Sequence, residues 1–359
     1  ACERLASILF EDAGIRSEHE ISLSMIGRNI VSVDAGQEEV RSFDAKTASG
    51  LNGMLELAKY FRQKNPDIVQ ILSSGFSTLA PGAARLAGVK TVVQSFAHGE
   101  QQAWRVSTAA VLASSMAADV LVAASEATRR KLQSDAKIGK SSACVVYADL
   151  LPPLKFRSAA QLRARMGLPP GQLLFAADLS ADSGPSLGRL FKAFAALRSK
   201  VFFKNMPVLA VCGLSNERLA EAAQLAAGHG LKEDVVFYGN DESAREAAAA
   251  CDVFVSPCAG PGDFHPAILA AMSSGKTVVA SKEGMTPELL ESSKSGILVK
   301  PGDWESLYRA LELVTNDTDL KIKMGYAAKN RFDQYFRPGS TAQAYLDIYI
   351  GRKVAEVFV

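Results

Sequence analysis

The sequence of 359 residues contains no Cys-x-x-Cys pair and no Gly-x-Gly-x-x-Gly. Its five cysteines, Cys2, Cys144, Cys212, Cys251 and Cys258, are odd in number and scattered. They make neither a disulfide framework nor a zinc site, and read as buried or free thiols of a reducing cytoplasm. Four histidines are too dispersed for a metal centre, and no acid/base pair stands out by spacing. Without the dinucleotide fingerprint, nicotinamide-dependent hydride transfer has no support. Charge of one sign is missing too: 40 basic and 38 acidic side chains leave +2. That balance argues against nucleic acid or a strongly anionic membrane as partner. The longest apolar run, residues 107–124, is rich in Ala and Ser and carries Asp119. It fits a helix end running into a strand better than a bilayer span, and no signal peptide is visible.

A phosphate loop is approached once, at Gly275-Lys276-Thr277, with Ala270 where the first glycine belongs. Such a loop needs the order strand, glycine turn, helix, so that helix amides meet the phosphate. Here a helix over 267–274 precedes Gly275 and a strand follows it, so Gly275 is read as a helix C-cap.

What the chain has is rhythm. At 48% hydrophobic and 22% charged residues it is globular, and its length points to two domains. Short β-branched runs at 19–26, 29–33, 67–72, 90–97, 119–124 and 143–147 alternate with amphipathic stretches such as 53–64. The alternation resumes with strands at 173–179, 208–212, 235–238, 253–256, 277–280 and 296–299. Strands apolar on both faces and separated by helices predict an α/β class with parallel sheets covered on each side. Pro152-Pro153 and Pro169-Pro170-Gly171 bracket a charged helical segment, 158–166, and mark the boundary. The expected units are 1–155, 156–335 and a helical segment 336–359 returning to the first domain. Two such domains place the default site in the crevice between them, at strand carboxyl ends.

The most informative stretch is CDVFVSPCAGPGDFHPAILAAMSSG, residues 251–275. A buried strand ends at Ser256-Pro257, a glycine-rich loop follows, and Pro266 opens a helix where its missing N–H costs nothing. The helix start aims free amides and partial positive charge at its surroundings, a geometry that suits a phosphate or diphosphate.

This stretch resembles the donor-binding motif of the retaining glycosyltransferases of family 4, which have the GT-B fold: two Rossmann-like doubly wound domains facing across a cleft. The resemblance extends to Val211-Cys212-Gly213, Val236-Phe237-Tyr238-Gly239, Gly284 through Glu288, Pro301-Gly302-Asp303 and, in the first half, His98-Gly99 and Glu3-Arg4. In the family the last pair follows a first strand and glycine loop, so residues are expected before Ala1.

The resemblance implies transfer of a sugar from a nucleotide-sugar donor to a glycan, lipid-linked or small-molecule acceptor, with retention and without metal or other cofactor. It implies a cytoplasmic protein with at most peripheral contact at the inner membrane face. His98 would meet the sugar and Asp263 would replace a family carboxylate as the catalytic pair. Gly239, Gly262, Phe264, His265, Pro266, Ala267, Glu288 and Asp178 would line the donor site. The chain departs from the family pattern where charge is expected. Gly262 and Ala270 stand in two glutamate slots, Asp178 in an arginine slot, and residues 183–185 in a lysine slot; Arg189 and Lys192 lie further along the helix. A hydrogen bond to a charged group contributes roughly 1.5–3 kcal/mol, so losing two weakens diphosphate binding by about 10²–10⁴-fold. These changes open a second expectation: a non-catalytic partner subunit of a homologous glycosyltransferase, or a glycan-binding module. Another GT-B enzyme, such as a nucleotide-sugar epimerase, is the third.

Overall fold

The computed structural model describes residues 24–26, 41–43, 50–73, 79–96, 112, 115–136, 143–147, 159–169, 171–180, 184–200, 207–239, 241–258 and 265–351. The chain divides into two compact units, the first combining N-terminal residues with the C-terminal segment 338–358.

In the first unit β1 (Ser24–Ile26) and β2 (Arg41–Phe43) pair in parallel as a separate ribbon. The strand expected at 19–26 includes β1, with residues 19–23 outside the described residues; none is expected at 41–43, where Arg-Ser-Phe has too little apolar pattern to signal one. The strand expected at 29–33 lies outside the described residues. Helix α1 (Gly50–Lys64) buries Leu57, Ala58 and Phe61 on one face. It stops at Asn65, whose φ is +47°, because Pro66 cannot continue it. Then come β3 (Ile68–Ser73), α2 (Ala80–Ala87), β4 (Thr91–Phe96), β5 (Val120–Ala123), α3 (Glu126–Ala136) and β6 (Ala143–Val145). The four strands are parallel and adjacent in chain order. All of β4 after Thr91 is buried, as a strand covered on both faces must be.

The second unit opens with α4 (Ala159–Arg165), which Arg163 staples to the sheet. The Arg163 guanidinium donates to Ala250 O (3.2 Å), Gln172 O (2.7 Å) and Asp252 Oδ2 (2.7 Å). Alternation then runs β7 (Leu174–Asp178), α5 (Pro185–Lys200), β8 (Val208–Cys212), α6 (Asn216–Gly228), β9 (Val235–Phe237), α7 (Asp241–Ala250), β10 (Val253–Ser256) and α8 (Pro266–Ser273). It continues with β11 (Thr277–Ser281), α9 (Thr286–Leu289), β12 (Ile297–Val299), α10 (Trp304–Asn316) and α11 (Thr318–Tyr335). All six strands are parallel, in the order β9-β8-β7-β10-β11-β12. Numbered within the unit this is 3-2-1-4-5-6, the doubly wound arrangement. Its core includes Phe175 against Phe194, ring centroids 5.7 Å apart and edge to face.

Helix α12 (Ser340–Tyr349) belongs to the first unit. Tyr345 is buried among Val93, Val122 and Val146, and its hydroxyl lies 2.6 Å from Ser95 Oγ. Thr341 Oγ1 donates to Tyr147 O at 2.7 Å, and Tyr349 Oη to Gln70 Oε1 at 3.4 Å. Among the described residues no helix is long and apolar enough to cross a membrane.

Candidate functional site: the carboxyl edge of the second sheet

In a doubly wound sheet, the chain leaves the two central strands in opposite directions, which opens a crevice at their carboxyl ends. Here those strands are β7 and β10. Val255 pairs with Ala177, so Asp178 and Ser256 end the strands side by side. Beyond β7 the backbone folds over tightly. Asp178 Oδ1 accepts from Ser180 N at 3.0 Å, and Leu179 N donates to Cys212 O at 3.0 Å.

Gly213 follows β8 with φ +78°. A Cβ there would stand 2.6 Å from Ser180 N and 2.7 Å from Asp178 Oδ1, so a side chain would push these two loops apart. Its N–H reaches Gly239 O at 3.3 Å, and Gly239, with φ +59°, is exposed beyond β9. Backbone from three neighbouring strands therefore lines this stretch of the edge. Burial, reinforced by the negative charge of Asp178, pushes the Cys212 thiol far above its usual range. Cys212 is thus no nucleophile at neutral pH.

Beyond β10, Ser256 Oγ donates to Cys258 O at 3.2 Å. His265 occupies the N-cap of α8 without a side-chain capping bond, and Pro266 takes the first turn. Leu269 N returns to His265 O at 3.1 Å. Pro266 has no N–H, which leaves the amides of Ala267 and Ile268 without an intrahelical acceptor at the positive end of the helix dipole. From Ala267 to Met272 every residue is buried. Ala270, wholly buried, brings no polar group. Gly275, with φ +67°, ends the helix turn and leads into β11.

Beyond β11, Gly284 turns the chain with φ +52°. The Thr286 hydroxyl lies between the carbonyls of Ser281 and Glu283, 2.7 Å from the latter, and accepts from Glu283 N at 3.2 Å. Glu288, in α9, is only 4% exposed.

One edge of one sheet thus carries Asp178, Gly239, His265, Pro266, Ala267 and Glu288. His98, Gly262, Asp263 and Phe264 lie outside the described residues. On α5, Lys192 Nζ stands 4.1 Å from the centroid of the Trp304 ring. The Arg189 guanidinium lies over Gly302, so both are turned toward the start of α10. Lys282 and Lys300, exposed directly after β11 and β12, are two further cations at this edge. A lysine closing an apolar strand was the signal for each. Among the described residues no three side chains could hold a metal ion together.

Residues 168–331 match the family model described as "Glycosyl transferases group 1". A D-inositol 3-phosphate glycosyltransferase of Streptomyces avermitilis is 30% identical over 246 residues, 65% of this chain and 52% of that protein. The chain spans about half or less of the length of the curated relatives it matches. The solved structure of a glycosyltransferase from Rickettsia africae superposes with a TM-score of 0.76 at 16% identity, covering 97% of this chain and 93% of that one. Anabaena HepE in complex with UDP superposes with a TM-score of 0.72 at 17% identity, covering 91% and 99%. With two parallel-sheet α/β units and these neighbours, the fold is GT-B.

Proposed function

We propose that this protein is a glycosyltransferase that moves a sugar from a nucleotide-sugar donor to a glycan, lipid-linked or small-molecule acceptor, with retention and without a metal ion. The observation that carries the reading is the carboxyl edge of the second sheet. It lies within the stretch that matches group 1 glycosyl transferases, and it has the form that binds nucleotides in doubly wound sheets. HepE, of like fold, was solved with UDP.

In this reading the donor diphosphate lies against the start of α8, where the amides of Ala267 and Ile268 supply what side-chain cations supply elsewhere. His265 and Pro266 set the direction of that helix start, and Gly239 admits the nucleoside to the backbone edge. Glu288 takes a donor hydroxyl. His98 and Asp263 act at the sugar, the first as a contact and the second as the orienting carboxylate. The reaction proceeds in the cytoplasm, with at most peripheral contact with the inner membrane face.

A second reading rests on Asp178 and Ala270. A carboxylate beside the switch point repels a diphosphate, and a wholly buried alanine holds no ribose. Those two residues favour a non-catalytic partner subunit or glycan-binding module. Thermal melting with UDP, GDP and ADP and their sugar conjugates at millimolar concentration separates the readings. The enzyme reading expects a raised Tm with one nucleotide family. It also expects Asp178→Arg to tighten that nucleotide about 10–10²-fold, the value of one charge-assisted hydrogen bond. No shift with any nucleotide, in wild type or in D178R, leaves the second reading.

A further inference from the structure

Arg331 is the one buried arginine among the described residues, at 5% exposure. It stands on α11, and its guanidinium reaches across to α9 and the chain just beyond. Nε donates to Leu289 O and Nη2 to Glu288 O, each at 2.8 Å, while Nη1 meets Glu291 Oε1 at 3.0 Å. The Tyr335 ring closes one side, its centroid 5.2 Å from the guanidinium carbon. A helix of four residues leaves its last carbonyls without intrahelical donors, and Arg331 takes two of them.

The platform behind Arg331 is itself fixed. Gly325 brings α11 into backbone contact with Gly275, and Thr277 Oγ1 donates to Lys321 O at 2.5 Å. The Thr286 hydroxyl ties the start of α9 to the Ser281 and Glu283 carbonyls, and the guanidinium fork holds its end at the main-chain carbonyls of Glu288 and Leu289. A planar fork serves three acceptors in fixed directions, whereas a lysine ammonium is a single point charge and does not.

We infer that Arg331 is a positioning residue for donor binding: it fixes the α9 turn so that Glu288 is presented at the carboxyl edge of the sheet. This rests on the reading of Glu288 as a donor contact. The test uses the full chain and whichever of UDP, GDP or ADP binds wild type most tightly. Its variants are Arg331→Met, Arg331→Lys, Glu288→Gln and the double variant, and hydrogen exchange is followed through residues 286–291.

R331M is expected to weaken the nucleotide about 10–10²-fold, the value of the one charge-assisted hydrogen bond that Glu288 would lose. R331K is expected to restore little of this. In the E288Q background, R331M should change affinity by less than about twofold, since coupled residues are not additive. Exchange in 286–291 should rise while β7 and β10 keep their protection. A purely structural arginine would weaken binding by the same factor with or without Glu288, and that result overturns the inference. Unchanged exchange at 286–291 in both R331M and R331K overturns it as well. A wild type that binds none of the three nucleotides removes the donor reading itself, and the positioning role with it, whatever the exchange shows.

Discussion

Single residues set the chemistry this protein can do at neutral pH. Cys251 is wholly buried, with Sγ 3.2 Å from Ala248 O, and burial pushes its thiol up to about 12. Cys144 is raised to about 11, also chiefly by burial. A raised folded-state value means that the unfolded chain gives up the proton first. The stabilisation is whole below pH 9 and disappears as pH climbs from there through the folded values. Each thiol contributes up to about 1.4 kcal/mol per pH unit in that window. Stability by urea denaturation should therefore fall between pH 9 and 11, and more shallowly in Cys251→Ala than in wild type. Equal slopes would mean that Cys251 titrates freely in the folded state. Among the described residues Cys144, Cys212, Cys251 and Cys258 are free thiols. That Cys212 lies beside Asp178 became visible only when β7 and β8 were paired.

At the scale of elements, most strands were legible because strands buried on both faces leave continuous apolar runs. From β3 onward each expected run contains an observed strand or overlaps it closely, and β8 and β10 agree at both ends. The helix start at Pro266 and the turn at Gly275 were legible for the same local reason: proline and glycine each carry a backbone preference of their own. Gly325 was not. A glycine inside a helix reads as a weak point worth about 1 kcal/mol against alanine, yet its Cβ would overlap Gly275 O and stand 3.0 Å from Gly275 C. Overlap with backbone outweighs propensity. Gly325→Ala is expected to destabilise the protein by about 3 kcal/mol or more and to disturb exchange in α11 and β11 together. A stabilised variant would show that the two segments part easily.

The whole molecule builds its first unit from segments separated by most of the chain. Helix α12 seals Val93, Val122 and Val146 with Tyr345 and Ile348. Burying two such side chains contributes roughly 3–6 kcal/mol, a large share of the 5–15 kcal/mol typical of a folded domain. A chain ending at residue 337 should therefore lose hydrogen-exchange protection in β4 and β5 while β7, β8 and β10 keep theirs. Retained protection in β4 would show that α12 is dispensable.

Sequence by itself determined the α/β class, the parallel strands and the stretch from 251 to 275 as the place to look, because periodicity, proline and glycine act over a few residues. Tertiary structure alone decided that Asp178 and Ser256 end neighbouring strands, that the Arg331 guanidinium holds the main chain of Glu288 and Leu289, and that Lys192 rests on Trp304. Those relations depend on which strand lies beside which and which helix crosses which turn. Packing makes that choice between residues far apart in the chain, so no local pattern carries it.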